Sequence, residues 1–367
     1  MRQNSIKILV LLSAFMFLNS SIFADILMSP YLQAISSTSV VIMVECSNQS
    51  QVRVLYGETE NLEMNRSTSF YELTDTIPIT YVHRIQLESL KPDKKYFYKV
   101  IQDGIDTYTK TFKTPPVVGL WKVAVMGDGR SQPKIFSKIS AQVRTTKPDI
   151  VIMTGDICFD SKYKSFKDEF FVPELLNLAS SYCFFNAVGN HEGFSKNTKA
   201  FTQAPLSASG RQDYYSFELG DALFIILSTE TSCKKGSPQY VFLEKELKNT
   251  TKKWKIVAFH KSAYVGGGHN EFKPMVKVSE DLFEKYKVNL VLNGHSHFYQ
   301  RNEVNGITHL TLAGGGAPLY TPEPKKYTVK SAKEHHYGYF EIIGSEIKFY
   351  VYNIEGKEID RFILNAK

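Results

Sequence analysis

Five apolar runs in this chain each end in residues able to bind metals or move protons. They read VAVMGD, IVIMTGD, FFNAVGNH, IVAFH and LVLNGHSH. Their chemistry lies at Asp128, at Asp156, at Asn190 with His191, at His260, and at His295 with His297. Open α/β sheets bind ligands beyond the carboxyl ends of their strands. If the five runs are strands of one sheet, Asp128, Asp156, Asn190, His260, His295 and His297 converge there. Two carboxylates, one amide and three imidazoles, with no thiolate, suit zinc, iron or manganese better than calcium or magnesium. Two such ions would outweigh the charge of two aspartates, so the pocket should prefer an anion. Water at such a centre becomes hydroxide near neutral pH and can attack phosphorus in line.

The pieces differ in specificity. Asp128 in GDGR, taken alone, reads as a turn, and His260 after an apolar run reads as a core histidine. Asp156 in GDICFD has two oxygens with which to bridge two ions. Asp160, close by, fits a solvated or helix-capping carboxylate. His191, beside Asn190 in GNHEG, can protonate a leaving group or hold a phosphate oxygen. GHSH says most. Side chains two apart in an extended segment share a face, so His295 and His297 can serve adjacent ions, and Gly294 lets the backbone approach closely.

The elements that must position these residues begin beyond a leader. Arg2 and Lys7 precede an apolar run at residues 8–18, and small residues follow to Ala24. This is the pattern of a signal peptide cleaved after Ala24. Asn19, Ser20 and Ser21 interrupt the run before it could span a bilayer. No later segment is long enough to cross, so a secreted or periplasmic protein is expected. From residue 25 to 114 come short alternating segments, among them TSVVIMVE, QVRVLYG and KKYFYKVIQ, separated by turn-prone residues. They predict an all-β sandwich. In LKPDKKYFY, Leu90, Pro92 and Tyr96 fit the fibronectin type III pattern, whose tyrosine hydroxyl bonds back to nearby backbone. Pro115 and Pro116 mark a linker. Beyond it, strands alternate with helical stretches at residues 132–146, 162–180, 239–249 and 272–286, predicting α/β layers around a sheet. Three final runs, YGYFEIIG, EIKFYVYN and IDRFILN, predict antiparallel strands. The expected division is a signal peptide (1–24), a fibronectin type III-like sandwich (25–116) and a catalytic α/β domain (117–367). A chain of 367 residues exceeds what one core supports.

Composition narrows the partners. The formal net charge is +7. Removing the leader leaves about +5, a modest excess. Lys and Arg are scattered and no nucleic-acid motif occurs, so nucleic acid is not an expected partner. A mild positive field draws in anionic substrates. The four cysteines, Cys46, Cys158, Cys183 and Cys233, have no spacing that specifies disulfides. Cys46 and Cys183 sit in apolar runs and read as core thiols.

The ordered blocks GDGR, GDICF, GNHE, VAFH and GHSH, with SPYLQ near the start of the sandwich, resemble the calcineurin-like metallophosphoesterase superfamily. The sandwich narrows the resemblance to purple acid phosphatase-like proteins. It implies a catalytic domain of αββα layers with mixed sheets and a dinuclear centre. One ion would take Asp128, Asp156 and His297, the other Asp156, Asn190, His260 and His295. It implies phosphate contact and proton donation by His191, and places His269 where plant-type members carry another phosphate-facing histidine. An exposed loop histidine after Gly266, Gly267 and Gly268 is the plainer reading of His269. Two departures stand out. Purple enzymes carry a tyrosine ligand where this chain has Phe159, so an Fe(III)-tyrosinate colour is not expected. Many relatives place a histidine where this chain has Arg130, which stays protonated and cannot ligate in the ordinary way. Arg130 could instead hold a phosphate oxygen or form a salt bridge at the rim. The resemblance implies hydrolysis of a small phosphorylated substrate, monoesters first, by a metal-bound hydroxide. A phosphodiesterase or nucleotidase on the same centre is the alternative. So is a metal-depleted protein that only binds its ligand.

Overall fold

A computed structural model describes residues 25–67 and 70–366. The expected leader, residues 1–24, lies outside the described residues. No helix among the described residues is long and apolar enough to cross a membrane.

The strands up to Lys113 form two small antiparallel sheets. One orders Tyr31–Gln33, Val40–Cys46, Tyr81–Leu87 and Tyr71–Leu73; the other is built on Val52–Gly57 and Lys95–Gln102. Alternate residues of Lys95–Gln102 are buried, the signature of a half-covered strand. The Tyr96 hydroxyl accepts the Lys91 N–H at 2.9 Å, the back-bond expected of a corner tyrosine. SPYLQ ties this sandwich to the rest of the chain. The Tyr31 hydroxyl donates to the Phe201 carbonyl (2.9 Å), and the Gln33 amide donates to that of Phe184 (3.0 Å). Glu45, fully buried, accepts from Thr80 Oγ1 (2.6 Å), Tyr163 Oη (2.7 Å) and Lys167 Nζ (2.5 Å).

From Leu120 onward two mixed sheets stack face to face. The first places Cys183–Asn186, Ile150–Met153 and Leu120–Met126 in parallel, then continues antiparallel through His336–Ile343, Glu346–Asn353 and Glu358–Asn365. The second runs parallel through Ala222–Ile226, Trp254–Lys261, Leu290–Gly294 and Ile307–Leu312, flanked by antiparallel strands. Val123, Val125, Ile152, Ile256, Leu292 and Leu310 fill the space between the sheets. Alternation sends Ala124, Met126 and Val151 outward, under Phe136, Ile139 and Val143 of the helix Pro133–Thr145. On the opposite face, Leu243 and Leu247 of Pro238–Asn249 cover Val257 and Phe259. Strands covered on both faces read as unbroken apolar runs, which is why the five motifs stood out.

Two expectations change. The five motif strands do not share one sheet: three lie in the first and two in the second. The donors meet because the two sheets stack with these strand ends at one edge. The helical stretch at 162–180 is interrupted. A π-helical turn at Phe166–Phe170 is followed by a fresh helix, Pro173–Ala179. Pro173 forces Val172 out of helical geometry (ψ 152°) and starts the new helix.

Candidate metal centre

Each acid that the motifs supply sits on a turn leaving a strand, and the turns are strained. Asp128, Asp156 and His295 have φ of 55°, 51° and 72°, a left-handed conformation that costs non-glycine residues and recurs at functional sites. The surrounding hydrogen bonds hold them there. Asp128 N donates to Gly155 O (2.9 Å), and Asp128 O accepts from Ala317 N (2.8 Å). Its carboxylate accepts the His295 N–H at 3.1 Å to each oxygen. Asp156 Oδ1 accepts the His191 N–H at 3.1 Å. Gly189 packs so closely on Asp156 that a Cβ there would overlap the Asp156 backbone and Oδ1.

Two donor groups result. In one, Asp156 Oδ1 lies 3.2 Å from His260 Nε2, which lies 3.2 Å from His295 Nδ1. In the other, Asp128, Asp156 and His297 converge, with His297 Nε2 3.5 Å from Asp128 Oδ1. Within each group the candidate ligand atoms all lie within 4.8 Å of one another. Asp156 belongs to both. The tautomers follow from the outer partners. His260 Nδ1 faces the Thr154 carbonyl (2.8 Å) and His297 Nδ1 that of Pro318 (2.9 Å). A carbonyl only accepts, so each Nδ1 carries a proton and each Nε2 turns inward. Backbone carbonyls behind metal-binding histidines do this routinely.

The electrostatics call for a cation. Burial lowers His295 to about 2 and His297 to about 4, so both imidazoles are neutral with a lone pair to give. Burial works against a charge on His260 too, but Asp156 and then Asp128 raise it to about 10. A proton on His260 thus fills the role that a metal ion would take among these donors. Carboxylate oxygen and imidazole nitrogen around one point, mutually spaced at 3.2 Å, match the edge of a coordination sphere with bonds of about 2.1 Å.

The remaining predicted residues divide. Asn190 is exposed at the strand exit, next to His191. His191 Nδ1 is 2.6 Å from the Phe159 carbonyl oxygen, which fixes its proton and turns Nε2 toward Asp156 Oδ2, 3.8 Å away. The Phe159 ring is 53% exposed and rests 5.7 Å from the His191 ring. His269 lies flat on His295, ring centroids 3.9 Å apart and 20° from parallel. Arg130 is not at the rim. It is 9% exposed, with Nε 3.4 Å from Asp156 Oδ2 and Nη2 3.3 Å from His297 Nε2. Cys158 is buried and donates to the Asp160 carbonyl. Asp160 accepts from Lys162 N and Ser165 Oγ in the turn before the short helix Tyr163–Ser165, whose N-cap is Lys162, so it does not cap that helix.

Two neighbours escaped sequence reasoning. Glu192 is buried, and its Oε1 accepts the Gly189 N–H at 2.7 Å, closing the turn that carries Asn190 and His191. Burial, then the Asp156 charge, raises its carboxyl to about 7. It stands in the quoted GNHE block, so its sequence neighbours were the available signal. Tyr320 stacks on His297 at 4.4 Å and 12°. No local pattern marks it, because the contact forms across a loop.

Residues 122–299 match the calcineurin-like phosphoesterase family. The chain is 26% identical over 356 residues to "Probable inactive purple acid phosphatase 1" of Arabidopsis thaliana, across 78% of this chain and 58% of that protein. It is 29% identical over 260 residues to purple acid phosphatase 21 of the same plant, across 64% of this chain and 58% of that protein. The chain thus spans less than two thirds of the length of either relative. Among solved structures, purple acid phosphatase PPD1 from yellow lupin (Lupinus luteus) seeds aligns at a TM-score of 0.77 and 19% identity, over 92% of this chain and 74% of that one. That likeness is one of fold. Residues 122–299 are thus a calcineurin-like phosphoesterase domain, and by sequence the chain is a purple acid phosphatase-like metallophosphoesterase.

Proposed function

We propose that the protein hydrolyses small phosphate esters, monoesters first, at a metal centre held by Asp156, His260 and His295 with Asn190, and faced by Asp128, His297 and Arg130. The observation that carries this reading is the convergence of Asp156 Oδ1, His260 Nε2 and His295 Nδ1 on one point, where a metal ion would replace the proton on His260. Zinc, iron or manganese suits these donors. Bound metal would supply Lewis acidity toward a phosphoryl oxygen and lower the pKa of a water nucleophile.

The chain's own residues do the rest. His191 is held by the Phe159 carbonyl with Nε2 toward the site, where a proton on Nε2 can pass to the departing alkoxide. Arg130 contributes fixed positive charge beside Asp156. His269, exposed over His295, is placed to meet an anion arriving from solvent. The sandwich at 25–116 is structural in this reading, and residues 1–24 direct the chain to a secreted or periplasmic location. The exposed Phe159 ring supports a second reading on the same centre. An aromatic platform beside the proton donor suits a nucleobase or aryl leaving group, hence a nucleotidase or diesterase.

The test is metal analysis of the purified chain, paired with hydrolysis of para-nitrophenyl phosphate and its bis-ester. Bound metal with turnover of the monoester supports the first reading. Preference for the bis-ester supports the second, and metal loading without turnover of either ester refutes both.

A further inference from the structure

The two donor groups are not equivalent, and the difference is Arg130. Around Asp156 Oδ1, His260 Nε2 and His295 Nδ1, no side-chain cation of fixed charge stands among the described contacts. Around Asp128, Asp156 Oδ2 and His297, a cation is already in place. Arg130 Nε is 3.4 Å from Asp156 Oδ2 and Nη2 is 3.3 Å from His297 Nε2. An imidazole nitrogen has one in-plane lone pair. His297 Nδ1 is committed to the Pro318 carbonyl (2.9 Å), so the lone pair on Nε2 is the only one the ring can offer a metal. That lone pair accepts the guanidinium N–H, and guanidinium does not deprotonate in proteins.

Charge argues the same way. One divalent ion with the guanidinium already exceeds the charge of Asp128 and Asp156. A second ion would leave a buried site with a large uncompensated positive charge. The second metal position therefore does not fit the residues present.

We propose that Arg130 replaces the second metal ion, so that the native centre combines one ion, held by Asp156, His260 and His295, with one fixed organic cation at Asp128, Asp156 and His297. This rests on the phosphoesterase reading above and departs from the two-ion arrangement that the family resemblance implies. The guanidinium then balances the acids on one side of the site whatever the metal supply.

The experiment is Mn2+ titration of the full chain by calorimetry, with electron paramagnetic resonance of the loaded protein, on wild type, Arg130→His and Arg130→Met. Circular dichroism checks that each variant is folded. Wild type is expected to bind one Mn2+ with the spectrum of an isolated ion. Arg130→His is expected to bind two and show exchange coupling between them. Even in a water-like dielectric, removing a unit charge beside a divalent ion changes affinity by more than about tenfold, so Arg130→Met should bind a second ion at least that much more tightly than wild type. Two coupled ions in wild type would overturn the inference and leave the phosphoesterase reading standing. One ion in wild type and in both variants would overturn the role of Arg130. No bound ion in wild type would overturn the metal centre itself.

Discussion

Gly294 packs against residues of both donor groups, and its substitution tests whether the donors work as one unit. A Cβ at this position would lie 2.5 Å from Asp128 Oδ2, 2.8 Å from the Thr154 carbonyl oxygen and 3.0 Å from His260 Nδ1. Relaxed contacts lie near about 3.5 Å, so alanine must open the nearest one by roughly 1 Å. None of the three neighbours can yield alone. Thr154 O holds His260 Nδ1 at 2.8 Å, and Asp128 accepts from the His295 N–H at 3.1 Å. The strand Leu290–Gly294 is buried along its length. Gly294→Ala should therefore cost about 1–3 kcal/mol of stability through overpacking. It should cost turnover far more, about 100-fold, the usual result of a 1 Å misplacement among reacting groups. The assays are thermal unfolding, metal content, and steady-state hydrolysis of para-nitrophenyl phosphate. A variant that keeps wild-type turnover and wild-type metal affinity would refute the reasoning, because it would mean that Asp128, His260 and His295 need not hold their spacing.

Three other perturbations have defined outcomes. His191→Gln should slow hydrolysis of an alkyl phosphate by about 100-fold or more but that of para-nitrophenyl phosphate much less, since the nitrophenolate leaves without a proton; equal losses on both esters would exclude His191 as the donor. Lys167→Met leaves the buried Glu45 carboxylate with only Thr80 and Tyr163, and should cost about 2–4 kcal/mol in chemical denaturation; a change below about 0.5 kcal/mol, within the range of ordinary surface substitutions, would show that the pair is dispensable. His309 is buried with neither ring nitrogen hydrogen-bonded among the described residues, and burial lowers it to about 3. Its neutral form stabilises the fold fully above the unfolded value near 6.5, and that stability is lost as pH falls from there toward 3. At pH 5 the loss is about 2 kcal/mol, so His309→Leu should flatten the stability–pH curve by that amount between pH 7 and 5. An unchanged slope, read from denaturant midpoints, would contradict this.

The residues that meet at the candidate centre were legible in the sequence because strands buried on both faces leave long apolar runs, and a polar residue that ends such a run is conspicuous. Asp128, Asp156, His260, His295 and His297 were all found this way. The corner hydrogen bond of Tyr96 was readable for a similar reason: its partner, Lys91, lies on the same short segment of chain. What local sequence could not give was the arrangement of sheets. Periodicity reports whether a strand is covered, not which strand lies beside it, so the division of the motifs between two stacked sheets had to come from pairing across distant segments. Tyr320 and Glu192 were missed because their significance lies in contacts, with His297 and with the Gly189 amide, that a residue type does not announce. Arg130 shows the limit most clearly. Its identity said that it could not be an ordinary ligand, and left a phosphate contact or a salt bridge at the rim as its roles. Only the close approach of the GDGR turn to His297, from the other sheet, decided that the guanidinium stands between Asp156 and that imidazole. Residue types set which charges and lone pairs are available; the packing of two sheets decides which of them meet.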